Sequence, residues 1–214
     1  MPRVVDHEER RRQMTEAVWA LTLRDGLEGV TLRKVASEAG VSMGRVQHYY
    51  PSMEALVRDA LDRAGKALDA RIRATVTAIA GDEGDVDDVS AETILRTCLY
   101  AFLGPDEEGR RLIRLSVAIL ARAVSDPTMA GVLAPDDAEL HAFTADLIAG
   151  ARIERGHTAP RDAEADRIDA DIAWTLAVSL GVDVAMDHRT PEAAKKVLDH
   201  HIDRMLGGQP PGER

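Results

Sequence analysis

Cysteine occurs once, at Cys98, so no disulfide can form within the chain and no cysteine pair offers zinc-ligand spacing. Aromatic residues are also scarce, Trp, Tyr and Phe together making 3% of 214 residues. Strands draw on aromatic and β-branched side chains, whereas the Ala, Leu, Arg, Glu and Asp that abound here favour helices. No apolar run approaches the roughly 18 residues that a membrane-spanning helix needs. Met1-Pro2-Arg3 is followed by charge and not by the apolar segment of a secretory signal. Neither a Gly-x-Gly-x-x-Gly fingerprint nor a P-loop occurs. These absences point to an all-α, cytoplasmic protein that does not enter a membrane. It is expected to be no enzyme, with no catalytic residue, no metal site and no cofactor.

Charge is present in plenty and unevenly spread. The net charge is -10, which by itself argues against nucleic acid, but its distribution matters more than its sum. Residues 1–58 hold 9 Lys and Arg against 8 Asp and Glu, and the remainder hold 18 against 29. A near-neutral head on an acidic body is compatible with a head that touches phosphates.

Periodicity and punctuation divide the chain into helices. Met14, Ala17, Val18 and Leu21 recur at three- and four-residue steps and predict a helix over 7–25, ended at Asp25-Gly26. Thr31 caps a short helix that Gly40 ends, and Ser42 caps another through Tyr49, where Pro51-Ser52 breaks the chain. From Ser52 a stripe from Leu56 to Ile79 predicts one long helix. Gly81–Asp88 has no apolar period and is expected to be a solvated loop. Further helices are expected near 90–103, 107–124, 136–156, 164–187 and 191–206. Asp126-Pro127, Pro135, Gly156–Pro160 and Thr190-Pro191 punctuate them. The tail 207–214, rich in Gly and Pro, is expected to be disordered.

Residues 31–50, TLRKVASEAGVSMGRVQHYY, carry the functional signal. Two short helices joined by a tight Gly-containing turn can place the second in the DNA major groove while the first braces against the backbone. Leu32, Val35, Ala36, Val41 and Val46 suit the interior. That leaves Ser42, Met43, Arg45, Gln47, His48 and Tyr49 on the outside of the second helix. Arg can bind guanine O6 and N7, and Gln can bind adenine N6 and N7. Tyr50 is expected in the core with Trp19 or Leu23.

Residues 10–60 resemble the DNA-binding domain of the TetR family of transcriptional regulators. The resemblance rests on Gly26, Gly29, Thr31, Ala36, Ala39-Gly40-Val41-Ser42, Gly44, Tyr50-Pro51-Ser52 and Glu54-Ala55-Leu56. It implies an N-terminal three-helix helix-turn-helix head, 1–51, and a C-terminal helical bundle for ligand binding and dimerisation, 52–206. It puts Arg33, Ser42, Met43, Arg45, Gln47 and Tyr49 at the DNA, with Thr31 and Lys34 near phosphates; His48, counted with the same DNA surface, suits a rim or packing position as well as contact with a base. Two positions depart from the family: Gln47 stands where Tyr is common, and Met53 where Lys is common. Arg10-Arg11-Arg12 could replace the phosphate anchors so lost.

In the body, Ile168, Ile172, Leu176, Leu180 and Val184 line one face of helix 164–187, and Trp174, Val178, Val182 and Ala185 another. A helix apolar on most of its circumference is buried on most of it. The resemblance therefore assigns a homodimer interface to the helices near 136–156 and 164–187. Such a dimer would read double-stranded operator DNA with two-fold related heads. The resemblance also implies an unidentified small-molecule effector, for which Tyr100, Phe102, Leu115, Ile119, Arg122, Phe143 and Trp174 are the candidate contacts. A repressor released by its effector is the expected mode. The alternative is a helical interaction protein of the same fold that has lost DNA binding. Against an enzyme, the Glu154-x-x-His157 pair occurs once, whereas a di-iron bundle needs it twice.

Overall fold

Short hydroxyl and carboxylate side chains set where the helices begin. In the computed structural model, which describes residues 7–80, 89–133 and 138–207, Thr31 accepts the Lys34 N–H at 3.2 Å and Ser42 the Arg45 N–H at 3.3 Å. Ser90 accepts from Thr93, Asp162 from Ala165 and Thr190 from Ala193 in the same way. Each bond satisfies a donor that the first helical turn leaves free.

The described residues form ten α-helices and no strand. They are α1 (His7–Asp25), α2 (Leu32–Glu38), α3 (Met43–Tyr49), α4 (Met53–Ala80), α5 (Ala91–Ala101), α6 (Glu107–Ala123), α7 (Pro127–Leu133), α8 (Ala138–Glu154), α9 (Ala163–Ala185) and α10 (Pro191–Met205). The all-α expectation holds, and the predicted helices appear within a few residues of their expected ends. The loop expected at 81–88 and the tail expected from 207 lie outside the described residues, save Gly207.

Two elements escape the sequence reading. A single 3₁₀ turn, Leu27–Gly29, joins α1 to α2 and buries Leu27. Asp126-Pro127, expected only to break the chain, instead opens α7. Asp126 accepts the Thr128 and Met129 N–H groups at 3.0 and 3.4 Å, and Pro127 stands at the first helical position. That is the grammar of Thr190-Pro191 at the start of α10.

The chain divides into two compact units, Met1–Ala67 with Arg114–Pro135, and Leu68–Ile113 with Asp136–Arg214. In the first, α1 packs on the 3₁₀ turn and on α2, and α2 on α3. Met14, Val18, Leu21, Val35, Val46, Tyr50 and Leu56 are buried there, as are Leu115, Ile119 and Met129. In the second, α8 packs against α5 and α9, and α10 against α9. Its core includes Leu95, Leu99, Ile148, Ala151, Ala173, Trp174, Leu180, Leu198 and Ile202.

Close approach and buried charge pairs hold the second unit. A Cβ at Gly181 would collide with the Phe102 carbonyl, so the start of the α5–α6 connection lies directly against α9. Arg152 of α8 donates to Asp166 and Asp169 of α9 and to the Met205 carbonyl of α10. Asp166 is almost fully buried and needs those donors, with Arg161 as a further one. The face assignment expected for α9 is corrected. Trp174 is buried with Ala170, Ala177, Leu180 and Val184, while Ile168 and Ile172 share the exposed side with Val178.

Candidate nucleic-acid interface

The turn between α2 and α3 follows from one glycine. Gly40 has φ 64°, a left-handed conformation that suits a residue without Cβ. It lets the Val41 N–H return to the Ala36 carbonyl at 2.9 Å and the Gly40 N–H to Ser37 at 3.2 Å. The chain then reverses into α3, whose amide ends Ser42 caps. Val46 is the fully buried residue of α3 and pins it against α2.

Burying Val46 sets what faces out. Ser42, Arg45, Gln47 and His48 are exposed, as expected of groups that would meet a groove. Met43 and Tyr49 are half-buried, a correction to the expectation that both stand free. Tyr49 shares a hydrogen bond of 2.8 Å with Nδ1 of His7, and its ring meets His48 edge-on at 5.4 Å. His7, from the start of α1, was not singled out in the sequence, because no local pattern places it beside residue 49.

The cations of the head differ in their freedom. Arg33 and Arg45 are exposed and have no ion-pair partner among the described residues, which leaves both guanidinium groups available to an anion. Lys34 is exposed but engaged within the head: its ammonium donates to the Gly29 carbonyl at 2.7 Å and lies 3.7 Å from Asp25. Thr31 is exposed, its hydroxyl engaged as the α2 cap. The expected arginine arm is tied down within the head. Arg10 donates to Gln13, Arg11 to Asp59 at 2.9 Å, and Arg12 to Glu9 and Glu16.

Tyr50 caps the far end of α3 and is buried as expected, although Leu23 stays exposed. Burial and a hydrogen bond to Asp59 push its hydroxyl up to about 12. Burial also raises Asp59, but hydrogen bonds from Tyr50, Arg63 and Arg11 outweigh it and keep that carboxyl below its ordinary value.

Gly40-Val41-Ser42-Met43-Gly44 spells the Gly-x-Ser-x-Gly of a hydrolase nucleophile elbow. That chemistry needs a strand feeding the serine into a sharp turn. Here a helix precedes the turn, and the Ser42 hydroxyl is engaged as a cap. Glu154, the other enzyme-like feature, accepts the Ala91 and Glu92 N–H groups and so caps α5. Among the described residues no three His, Cys, Asp or Glu side chains gather as a metal site, and no helix is long and apolar enough to cross a membrane.

The effector candidates fall in both units. In the second, Phe102 and Trp174 pack edge to face at 4.7 Å, and the Trp174 indole donates to Thr144 at 2.9 Å. Tyr100 donates to Asp199, and its ring carries the Lys195 ammonium at 4.3 Å. Phe143 is half-exposed on α8. In the first, Leu115 and Ile119 are buried and Arg122 pairs with Asp126 at 3.1 Å. A shallow cavity of about 280 Å³ is lined by Arg110, Val184, Asp187, His188, Arg189, Thr190 and Pro191, none of them an effector candidate.

Comparison with known proteins agrees with this geometry. Residues 15–60 match the family described as bacterial regulatory proteins, tetR family, and residues 91–207 match the BetI-type transcriptional repressor, C-terminal. The transcriptional regulator BetI of Vibrio parahaemolyticus is 28% identical over 181 residues, 78% of this chain and 90% of that protein. The regulator PksA of Bacillus subtilis is 38% identical over 73 residues, covering 34% of this chain and 36% of PksA, so this chain spans about a third of that relative. A transcriptional regulator from Saccharomonospora viridis, crystallised with choline, superposes with a TM-score of 0.70 at 21% identity, over 92% of this chain and 97% of that one. The head that α2 and α3 build, and the helical body that follows it, are those of one group of proteins: the chain belongs to the TetR family of transcriptional regulators, with a C-terminal region of BetI type.

Proposed function

We propose that this chain is a homodimeric repressor that binds a pseudo-palindromic operator and is released by a small-molecule effector, acting by binding alone in the cytoplasm. Residues 1–51 serve as the DNA-binding domain and 52–206 as the effector and dimerisation domain. Arg45 and Gln47 read base edges. Thr31, Arg33, Lys34, Ser42, Met43, His48 and Tyr49 complete the DNA surface, Tyr49 steadied by His7. The observation that carries this reading is the exposed Arg45, unpaired among the described residues, on a helix fixed by Ser42 and Val46. A helical interaction protein of the same fold that had lost DNA binding would have little use for that arrangement.

The dimer is proposed to form through α8 and α9. Leu140, Phe143 and Ile153 on α8, with Ile168, Ile172 and Val178 on α9, leave large apolar side chains in water. Apolar exposure of that kind marks an association surface. Of the expected effector contacts, Tyr100, Phe102, Phe143 and Trp174 lie together in the second unit and are proposed to contact the effector. The Saccharomonospora relative was crystallised with choline, a quaternary ammonium of the kind that aromatic cages recognise. In this chain Tyr100 already faces Lys195, and Phe102 and Trp174 face each other, so a different effector is expected.

Selection from a random duplex library, with sequencing of what the protein retains, tests the DNA reading. The expected result is an inverted repeat whose half-sites lie about one helical turn apart. Arg45→Ala is expected to weaken binding to it by about tenfold or more, the value of one bidentate base contact. Absence of enrichment even at low salt would overturn the reading in favour of the interaction protein.

A further inference from the structure

Tyr50 is 2% exposed, and a buried phenol needs a partner for its hydroxyl. It donates to Asp59 on α4. Asp59 also accepts from Arg11 of α1 at 2.9 Å and from Arg63, one turn further along α4, at 3.1 Å. Arg63 reaches back to Glu8 of α1 at 2.8 Å. The Arg11 guanidinium lies 5.7 Å from the centre of the Tyr50 ring. One carboxylate thus joins α1, the C-terminal cap of α3 and the start of α4.

Burial separates this cluster from an ordinary surface pair. The Asp59 and Arg63 side chains keep 14% and 19% of their exposure. An ion pair so enclosed is screened less by solvent than an exposed one, and removing one partner strands the others. Three donors keep the carboxyl ionised against the pull of burial. None of these side chains belongs to the outward face of α3, so the cluster cannot act by touching a base.

We propose that Asp59 is a positioning residue for operator recognition: it holds Tyr50, and with it the end of α3, at a set orientation to α1 and α4. The Pro51-Ser52 junction looks like a hinge in sequence, yet the cluster spans it from both sides. Any change of direction in α4 that leaves the cluster intact carries the recognition helix along. This proposal rests on the DNA-binding reading above.

The test uses the full chain with Asp59→Asn, which removes the charge at constant shape, Tyr50→Phe, which removes only the hydroxyl, and the double variant. Amide hydrogen exchange in the free proteins is expected to be faster for Val46 to Tyr50 in each variant, with α5 and α8 to α10 unchanged. Affinity for the selected operator is expected to fall about tenfold, the loss of one hydrogen bond to a charged group. Affinity for an unrelated duplex and the salt slope are expected to stay the same. The double variant is expected to match either single one. Unchanged exchange in Asp59→Asn would overturn the proposal. So would a lowered melting temperature with an unchanged ratio of operator to unrelated-duplex affinity, because a purely structural role moves the first alone. Should the unmutated protein select no duplex, the DNA-binding reading fails, and the exchange measurement alone decides the role of Asp59.

Discussion

At the scale of single residues, the cations of the head show how little a charge count says about function. Residues 1–58 carry nine Lys and Arg, but Arg11, Arg12, Arg24 and Lys34 are held by carboxylates or carbonyls of their own chain. Arg33 and Arg45 stand apart from those pairs. Arg33→Ala is expected to lower the slope of log affinity against log salt by about one, as one phosphate contact is lost. Fluorescence anisotropy across a salt series measures it, and Arg12→Ala, its charge already neutralised by Glu9 and Glu16, is the control that leaves the slope unchanged. His201 makes a second residue-scale prediction. Its Nε2 is buried with no hydrogen-bond partner among the described residues, and burial pushes its pKa below the ordinary 6.5; Asp169 pulls the other way, and His200 and Arg204 assist. The unfolded chain then takes up a proton near pH 6.5 that the folded chain refuses. Stability is therefore complete above that pH and declines as pH falls below it, down to the folded-state pKa. Thermal melting between pH 7.5 and 5 is expected to show the decline, and His201→Leu to flatten it.

At the scale of elements, caps were the most legible features and contacts the least. Ser42, Thr31 and Thr190 announce their helices because the capping bond is local, made within three residues of the cap. The same rule marks α7 at Asp126-Pro127, where the proline opens a helix as well as ending the preceding stretch. The faces of α9 were not legible, because Trp174, Ile172 and Leu176 are similar in hydrophobicity and only packing decides which turns inward. Gly181 makes the point sharply. It sits among apolar residues and reads as a neutral interruption, yet the Phe102 carbonyl occupies the space of its missing Cβ. Gly181→Ala is expected to destabilise by about 1–3 kcal/mol, the usual cost of overpacking. Urea unfolding followed by circular dichroism checks this. Gly156→Ala, where a Cβ meets nothing within 4 Å but φ is 86°, separates backbone strain from collision.

At the scale of the whole molecule, two copies are what a palindromic operator requires, each head adding its contacts. The apolar side chains left exposed on α8 and α9 make the dimer testable without DNA. Ile172→Asp, at an exposed site, is expected to leave melting of the monomer fold nearly unchanged. It is expected to shift sedimentation toward a monomer and weaken operator binding more than tenfold, since one head alone loses the partner's share of contacts. A dimer that survives this change would place the interface elsewhere.

The sequence alone was enough for the helix class, most helix boundaries and the turn that presents α3. Those depend on propensity, capping and glycine conformation, all of which act over a few residues. It also placed Arg45 and Gln47 on the outer face opposite the buried Val46, but not the half-burial of Met43 and Tyr49 on the same short helix. What only the tertiary structure decided was long-range pairing. Arg11 turned to Asp59 and not outward, Tyr49 met His7, and Trp174 turned inward to Phe102. Each joins residues far apart in the chain or chooses among chemically equivalent faces. Such choices are made by the geometry of the packed helices, which no local pattern encodes.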